Sequence, residues 1–111
     1  MSFSTPDLSD ANPEVKALSP ILKNLGGKKA FWGKIETLQC PDDNSFVKEL
    51  FNSEGEGKVL VVDANGISSV ALLGDMIAEA GVKNDWSGIV INGYVRDIDV
   101  LSKLDIGVQA L

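Results

Sequence analysis

Histidine is absent from this sequence of 111 residues, and cysteine occurs once, at Cys40. Without histidine, the chain can build neither a Ser–His or Cys–His nucleophile pair nor a histidine-ligated metal site. One cysteine excludes an internal disulfide and a thiolate zinc cluster. Any catalysis must therefore use carboxylates, lysine, arginine, hydroxyl groups, backbone amides or a metal held by oxygen.

Long apolar segments and basic segments are also lacking. The longest apolar runs, such as residues 59–62, span only a few residues, so we expect no membrane segment. The N-terminus has neither a positive start nor an apolar stretch, which predicts no signal peptide and a reduced, cytoplasmic setting. The net charge of −6 disfavours direct binding of nucleic acid.

The composition that remains is that of an ordinary globular protein. Hydrophobic residues make up 44% of the chain and charged residues 23%, which argues against disorder. A chain of this length is typical of one domain, so we expect residues 1–111 to form a single domain.

The first half of the chain predicts two helices and one strand. Thr5-Pro6-Asp7 is a typical helix start, and Asn12-Pro13 is expected to end that helix. Residues 31–39 alternate as a strand does. Asp42-Asp43-Asn44 then has two interpretations, a helix cap or, less favoured, a cation site. The helix that follows has four apolar residues on one side, Phe46, Val47, Leu50 and Phe51.

The second half predicts an α/β arrangement with parallel strands. Residues 58–63 and 88–92 are near-continuous apolar runs, typical of strands covered on both faces. Residues 70–80 are compatible with a helix, and this spacing permits a right-handed crossover between the two strands. Residues 97–103 predict a short helix, and residues 106–111 predict a third strand.

Parallel strands place their carboxyl ends at one edge of the sheet, where ligands usually bind. Here that edge would collect Asp63 and the loop that contains Arg96 and Asp97. Arginine can hold a carboxylate through two hydrogen bonds, and aspartate can hold a hard cation. The structural alternatives are that Asp97 caps a helix, that Arg96 is solvated or pairs with Asp99, and that Asp63 only forms a turn.

Gly74-Asp75 admits two interpretations as well. Either the glycine lies inside a helix for packing, or the helix begins near Gly74 and the amides around Asp75 and Met76 lie at the ligand edge.

The remaining candidates have mainly structural interpretations. Cys40 is expected to be an inert apolar residue, and the larger aromatic side chains are expected in the core or at subunit contacts: Trp32, Trp86, Phe46 and Phe51.

Several blocks, in order along the chain, resemble one protein family. The blocks are residues 5–11 (Thr-Pro-Asp-Leu-Ser-Asp-Ala), 31–37 (Phe-Trp-Gly-Lys-Ile-Glu-Thr), 43–44, 59–63, 71–75 (Ala-Leu-Leu-Gly-Asp), 86–88 and 92–97 (Asn-Gly-Tyr-Val-Arg-Asp). They are similar to the regulator of ribonuclease activity A family, which includes metal-dependent 4-hydroxy-4-methyl-2-oxoglutarate aldolases. The aldolase signature of that family is an aspartate, twenty residues, then Arg-Asp. Asp75, Arg96 and Asp97 match it.

The resemblance implies an activity and a role for each signature residue. The activity is aldol cleavage of 4-hydroxy-4-methyl-2-oxoglutarate to two pyruvates, with oxaloacetate decarboxylation through the same enolate. Asp97 would anchor a divalent metal, Mg²⁺ or Mn²⁺, and Arg96 would bind the 2-keto acid and stabilise the enolate. Asp75 would orient the water that acts as the base. Backbone amides would hold the substrate carboxylate, those of Gly74, Asp75, Met76 and Ile77.

The resemblance also implies an architecture and partners. The family fold is a swivelling β/β/α-type domain with a central, largely parallel sheet. Family members continue beyond the position of Leu111, so the chain corresponds to the N-terminal portion of the family domain and lacks the C-terminal part. Members form homotrimers or dimers of trimers with sites between subunits. The alternative function is a non-catalytic regulator that binds and inhibits a ribonuclease.

Overall fold

A central five-stranded sheet organises the chain, which a computed structural model describes over residues 4–18, 20–39, 44–66 and 68–111. The strands of this sheet are β1 (Lys23–Asn24), β2 (Ile35–Gln39), β3 (Val59–Asp63), β5 (Gly88–Asn92) and β7 (Gly107–Ala110). A second, two-stranded sheet contains β4 (Ala71–Leu73) and β6 (Tyr94–Val95). The helices are α1 (Thr5–Ala11), α2 (Ser45–Phe51), α3 (Asp75–Lys83) and α4 (Ile98–Leu101).

The central sheet is largely parallel, as the sequence predicts. Its strand order is β1-β7-β5-β3-β2, and the four strands β2, β3, β5 and β7 run parallel to one another. Only the short edge strand β1 is antiparallel to its neighbour. The three apolar runs of the second half are all strands of this sheet, and the α/β expectation is confirmed.

One face of the sheet carries the core. Side chains from β3, β5 and β7 are buried there in one cluster with residues of α2 and α3. The rings of Phe51 and Trp86 lie 5.3 Å apart within this cluster. The indole N–H of Trp86 donates to the carbonyl of Ser53 at 3.0 Å, which satisfies the buried polar atom. The helical layer is thereby fixed on the sheet.

The other face of the sheet is less covered than the sequence predicts. Val61 and Val90 are only half-buried, although the apolar runs around them are typical of strands covered on both sides. The ring of Phe31 lies over Gly88 and Gly107, where a side chain at either glycine would collide with it. Beside it, a groove of about 670 Å³ remains open on this face.

The helix predicted over residues 70–80 is wrong in its first part and confirmed from Asp75 onward. Residues Ala71–Leu73 form strand β4, and α3 begins only at Asp75. Three apolar residues fit a helix or a buried strand equally well, and here pairing with β6 decides in favour of the strand.

Gly81 lies inside α3 and does not end it. A Cβ there would lie 2.5 Å from the ring of Phe51, so close packing of the two helices requires the glycine.

The N-terminal half differs from expectation in its boundaries. Ser4, not Thr5, caps α1, because its hydroxyl accepts from the Asp7 N–H at 3.3 Å. The helix ends at Ala11 with Asn12 as its C-cap, as the Asn12-Pro13 pair predicts. The strand predicted over 31–39 is reduced to β2. Asn44 occupies the N-cap position of α2 without a side-chain capping bond. Cys40 and the segment 41–43 fall outside the described residues.

Two of the four aromatic residues expected in the core or at subunit contacts are in the core. Phe51 and Trp86 are buried, whereas Trp32 is 62% exposed and Phe46 is 50% exposed. Phe46 lies one residue before Val47 in α2, and only part of the predicted apolar side reaches the sheet. Within the described part of the chain, no helix has the length and apolar character needed to cross a membrane.

Candidate active site

Pairing between the short strands β4 and β6 places the predicted site residues together. In this parallel pair, Ala71 lies opposite Tyr94 and Leu73 opposite Val95. The Arg96 N–H continues the ladder by donating to the Leu73 carbonyl at 2.9 Å. The loop that leaves β4 therefore lies beside the loop that leaves β6, which carries Asp97.

Gly74 lies at the point of contact between these loops. It is the N-cap residue of α3, and its carbonyl accepts the first helical hydrogen bond, from Ala78 N–H at 3.0 Å. A Cβ at this position would lie 2.9 Å from Arg96 Nε and 3.1 Å from Asp97 Oδ2. Of the two interpretations of Gly74-Asp75, the helix that begins at the glycine is therefore correct.

The first turn of α3 presents backbone amides to the same point. The Asp75 N–H donates to Asp97 Oδ2 at 3.3 Å, and the Met76 N–H donates to Asp75 Oδ1 at 2.8 Å. The N–H of Ile77, the third residue of the helix, has no partner inside the helix because of its position. These amides and the positive end of the helix dipole form a region that favours an anion.

Asp97 has an unusual backbone conformation, with φ 60° and ψ 43° in the left-handed region. It occupies the N-cap position of α4, as the structural alternative holds, but its side chain does not cap that helix. Its carbonyl instead accepts from Val100 N–H at 3.0 Å and Leu101 N–H at 2.9 Å. The Asp97 carboxylate therefore makes no capping bond to α4 and contacts the amino end of α3.

Arg96 pairs with its neighbour along the chain. Its Nε lies 3.8 Å from Asp97 Oδ2, and the two side chains are 71% and 41% exposed. An ion pair this exposed contributes little to folding stability, about 0–1 kcal/mol. The guanidinium is thus accessible to a ligand and remains able to form two parallel hydrogen bonds with a carboxylate.

The donor set fits a hydrated magnesium or manganese ion. Two exposed or half-exposed carboxylates, those of Asp75 and Asp97, are the acidic groups of the cluster. Over the described ranges 4–18, 20–39, 44–66 and 68–111, no three His, Cys, Asp or Glu side chains are grouped for a metal. Mg²⁺ commonly binds through one or two carboxylates and keeps several waters, and one or two carboxylates are what this cluster offers.

Asp63 has the structural role of a turn former. Its Oδ1 accepts from the Asn65 N–H at 3.0 Å and lies 3.5 Å from Asn92 Nδ2. Gly66 completes the turn with φ 68° and donates to the Asn92 carbonyl at 2.9 Å. The contacts of Asp63 are therefore with its own loop and the end of β5, not with Arg96 or Asp97.

The groove of about 670 Å³ is separate from this cluster. It lies on the partly covered sheet face, and its lining includes Leu18, Val61 and Val90 but neither Arg96 nor Asp97. The sequence predicts a ligand edge at the carboxyl ends of the central strands. It does not predict the small sheet of β4 and β6, beside which the cluster lies. The only signal for it was the apolar Ala-Leu-Leu run before Gly74, which is too short to separate strand from helix.

Comparison with known proteins decides the family. Residues 5–111 match the RraA-like family, described as Aldolase/RraA. The chain belongs to the RraA-like family. The agreement extends to the fold, since the central, mostly parallel sheet of this RraA-like chain superposes closely on solved relatives.

Three relatives show how the family is named elsewhere. A Pseudomonas aeruginosa protein, named provisionally as a 4-hydroxy-4-methyl-2-oxoglutarate aldolase, is 53% identical over all of this chain and 69% of its own length. The RNA-processing inhibitor RraA from Thermus thermophilis is 38% identical, with a TM-score of 0.92 over all of this chain and 68% of that one. A Geobacillus kaustophilus structure, named S-adenosylmethionine:2-dimethylmenaquinone methyltransferase, is 34% identical with a TM-score of 0.93 over 98% and 68% of the two chains.

These names differ although the folds agree. Membership of the RraA-like family therefore establishes the architecture and not the activity. The activity has to be argued from the cluster of Gly74, Asp75, Arg96 and Asp97.

Proposed function

We propose that this RraA-like chain cleaves 4-hydroxy-4-methyl-2-oxoglutarate to two pyruvates and decarboxylates oxaloacetate as a secondary activity. One observation carries the proposal. The Arg96 guanidinium, the Asp97 carboxylate and the first-turn amides of α3 meet at one exposed point, with the spacing of the aldolase signature. The provisional aldolase name of the 53% identical relative supports it.

Substrate binding would use the positive end of α3. The amides of Gly74, Asp75, Met76 and Ile77 surround the beginning of the helix, where a carboxylate is stabilised by N–H donors and by the helix dipole. Arg96 adds a guanidinium beside those amides. A 2-keto acid suits this arrangement, because its carboxylate and keto oxygen are adjacent acceptors.

The reaction breaks the bond between C3 and C4 of the substrate. The 4-hydroxyl loses its proton, C4 becomes the ketone of one pyruvate, and the bonding electron pair passes to the other fragment as a pyruvate enolate, which is then protonated at C3. Loss of CO₂ from oxaloacetate leaves the same enolate. Arg96 would stabilise its negative charge, and Asp75 would orient the water that accepts the proton. A divalent cation held by Asp97, partly through water, would supply Lewis-acid stabilisation of that charge.

A trimer with sites between subunits is part of the same proposal. Three exposed apolar side chains lie on the elements that carry the site: Met76 in α3, Tyr94 in β6 and Ile98 in α4. Apolar side chains next to a polar site are typical of an interface that completes the site and excludes water from it.

The experiment that tests the function is pyruvate release from 4-hydroxy-4-methyl-2-oxoglutarate by the purified chain. With Mg²⁺ or Mn²⁺ we expect release that a chelator abolishes and that returns when the metal is restored. A chain that shows a cooperative thermal transition but releases no pyruvate under either condition would refute the proposal.

Regulation of a ribonuclease is the second candidate function. The observation that favours it is the 38% identity and TM-score of 0.92 to the RNA-processing inhibitor from Thermus thermophilis. A net charge of −6 suits a basic partner, although this feature has low specificity. The test is whether the purified chain slows RNA cleavage by a purified ribonuclease that it also binds; an unchanged cleavage rate would reject this function.

A further inference from the structure

We propose that the Asp97 carboxylate blocks the anion-binding end of α3, by accepting from one of its amides and by its negative charge, until it turns toward a divalent cation, so that the cation binds before the 2-keto acid. The inference rests on the proposed function for the identity of the two ligands. What it adds is a regulatory role for Asp97, which would block the anion site in one state and hold the metal in the other.

A single oxygen atom carries the blocking contacts. Asp97 Oδ2 accepts from the Asp75 N–H at 3.3 Å and lies 3.8 Å from Arg96 Nε. The first contact is a hydrogen bond from a backbone amide at the positive end of α3, and the second is an exposed ion pair with the guanidinium that is too long for a hydrogen bond. The amide and the guanidinium are two of the groups that would hold a substrate carboxylate, so a carboxylate of the chain itself lies where the substrate carboxylate would bind.

The backbone of Asp97 shows that this contact is not a by-product of helix capping. The N–H groups of Val100 and Leu101 in α4 donate to the Asp97 carbonyl, which leaves the Asp97 side chain available for other contacts. Asp97 has a left-handed backbone conformation, and its carboxylate accepts from the first amide of a different helix, α3. Gly74 permits the approach, since a Cβ there would lie 3.1 Å from Asp97 Oδ2.

Charge makes the two ligands depend on one another. While Asp97 remains at the Asp75 amide, an incoming carboxylate meets a negative charge and one occupied donor. When Asp97 turns toward a cation, the amide is released and the negative charge is neutralised. Affinity for the 2-keto acid should therefore rise with cation binding, and by linkage the 2-keto acid should strengthen cation binding equally.

Pyruvate affinity measured in the presence of a chelator distinguishes blocking by Asp97 from the alternative in which the cation only bridges Asp97 and the 2-keto acid. Asp97→Gly removes the carboxylate, and glycine adopts the left-handed conformation without strain. We expect Asp97→Gly to bind pyruvate about tenfold more tightly than the unmodified chain under these conditions, since one amide donor is released and a like charge is removed. If the cation serves only as a bridge, the pyruvate affinity of Asp97→Gly in chelator equals that of the unmodified chain.

Asp99→Ala is the matched control. Asp99 is an exposed aspartate two residues further along in α4, and its removal changes the net charge by the same amount. We expect its pyruvate affinity in chelator to stay within about twofold of the unmodified chain, since exposed charges are screened. An equal gain in both variants, or no gain in Asp97→Gly, would overturn the inference.

A second measurement needs no variant and no substrate. Titration of the unmodified chain with Mg²⁺ alone, followed by proton–nitrogen NMR, should shift the Asp75 amide and the Arg96 Nε–H together, and Asp97→Gly should abolish both shifts. Signals of Asp75 and Arg96 that stay unchanged at saturating Mg²⁺ would contradict the inference. A chain with the expected shifts and binding but no pyruvate release would retain the inference and lose the aldolase function, so the two failures are distinguishable.

Discussion

Asp97→Asn is expected to lower Mg²⁺-dependent pyruvate release from 4-hydroxy-4-methyl-2-oxoglutarate by about a hundredfold or more. The substitution keeps the shape of the side chain and an oxygen that can accept from the Asp75 N–H. Asparagine also tolerates the left-handed conformation found at this position. What it removes is the negative charge that would hold the cation, so the loss should be in catalysis and not in folding.

The measurement compares kcat/KM for both substrates in the same preparations. Because aldol cleavage and oxaloacetate decarboxylation share the enolate, Asp97→Asn should reduce both by similar factors. Asp99→Asn changes a nearby exposed carboxylate in the same way and should leave both within about twofold. Full activity of Asp97→Asn, or loss of only one reaction, would show that the enolate is not formed at this site.

Phe51→Ala should destabilise the fold by about 3–5 kcal/mol, the typical cost of removing a fully buried phenylalanine. The side chain of Phe51 is 0% exposed, its ring lies 5.3 Å from that of Trp86, and it packs directly on Gly81 of α3. Truncation therefore leaves a cavity between α2, α3 and the ring of Trp86. A small domain typically has a total stability of about 5–15 kcal/mol, so this is a large fraction of it.

Phe46→Ala is the control for this prediction. It removes the same atoms from the same helix, but Phe46 is half exposed and lies outside the buried core cluster. We expect Phe46→Ala to lower the free energy of unfolding by less than about 1 kcal/mol. The measurement is urea unfolding of the two variants side by side. Equal destabilisation by both substitutions would mean that the described face of α2 is not the one that packs on the sheet.

The large features of the fold were predictable because their patterns are unambiguous. Residues 58–63, 88–92 and 106–111 are apolar runs that suit a buried parallel sheet, and all three contain strands of it. The error over residues 71–73, which were predicted as part of a helix, has a physical origin. Strand β4 has only three residues and is defined by its pairing with Tyr94–Val95, a tertiary contact that local periodicity does not encode.

The site was predictable in its residues but not in its geometry. The charge types of Arg96 and Asp97 and the spacing from Asp75 suggested the chemistry. Nothing in the sequence indicates that the Asp97 carboxylate crosses to α3, because this depends on a left-handed backbone conformation and on a glycine at position 74. The same limit explains Trp32 and Phe46, whose aromatic character does not reveal that they are exposed.

Exchange of the methyl protons of pyruvate for deuterium tests the central claim most directly, because it reports enolate formation at this site without the second half of the substrate. The purified chain in heavy water with Mg²⁺ should accelerate the loss of the methyl proton signal, and chelator or Asp97→Asn should return the rate to that of buffer with Mg²⁺. An exchange rate equal to the buffer rate, from a chain that unfolds cooperatively, would contradict the assignment of 2-keto-acid enolate chemistry to Asp75, Arg96 and Asp97.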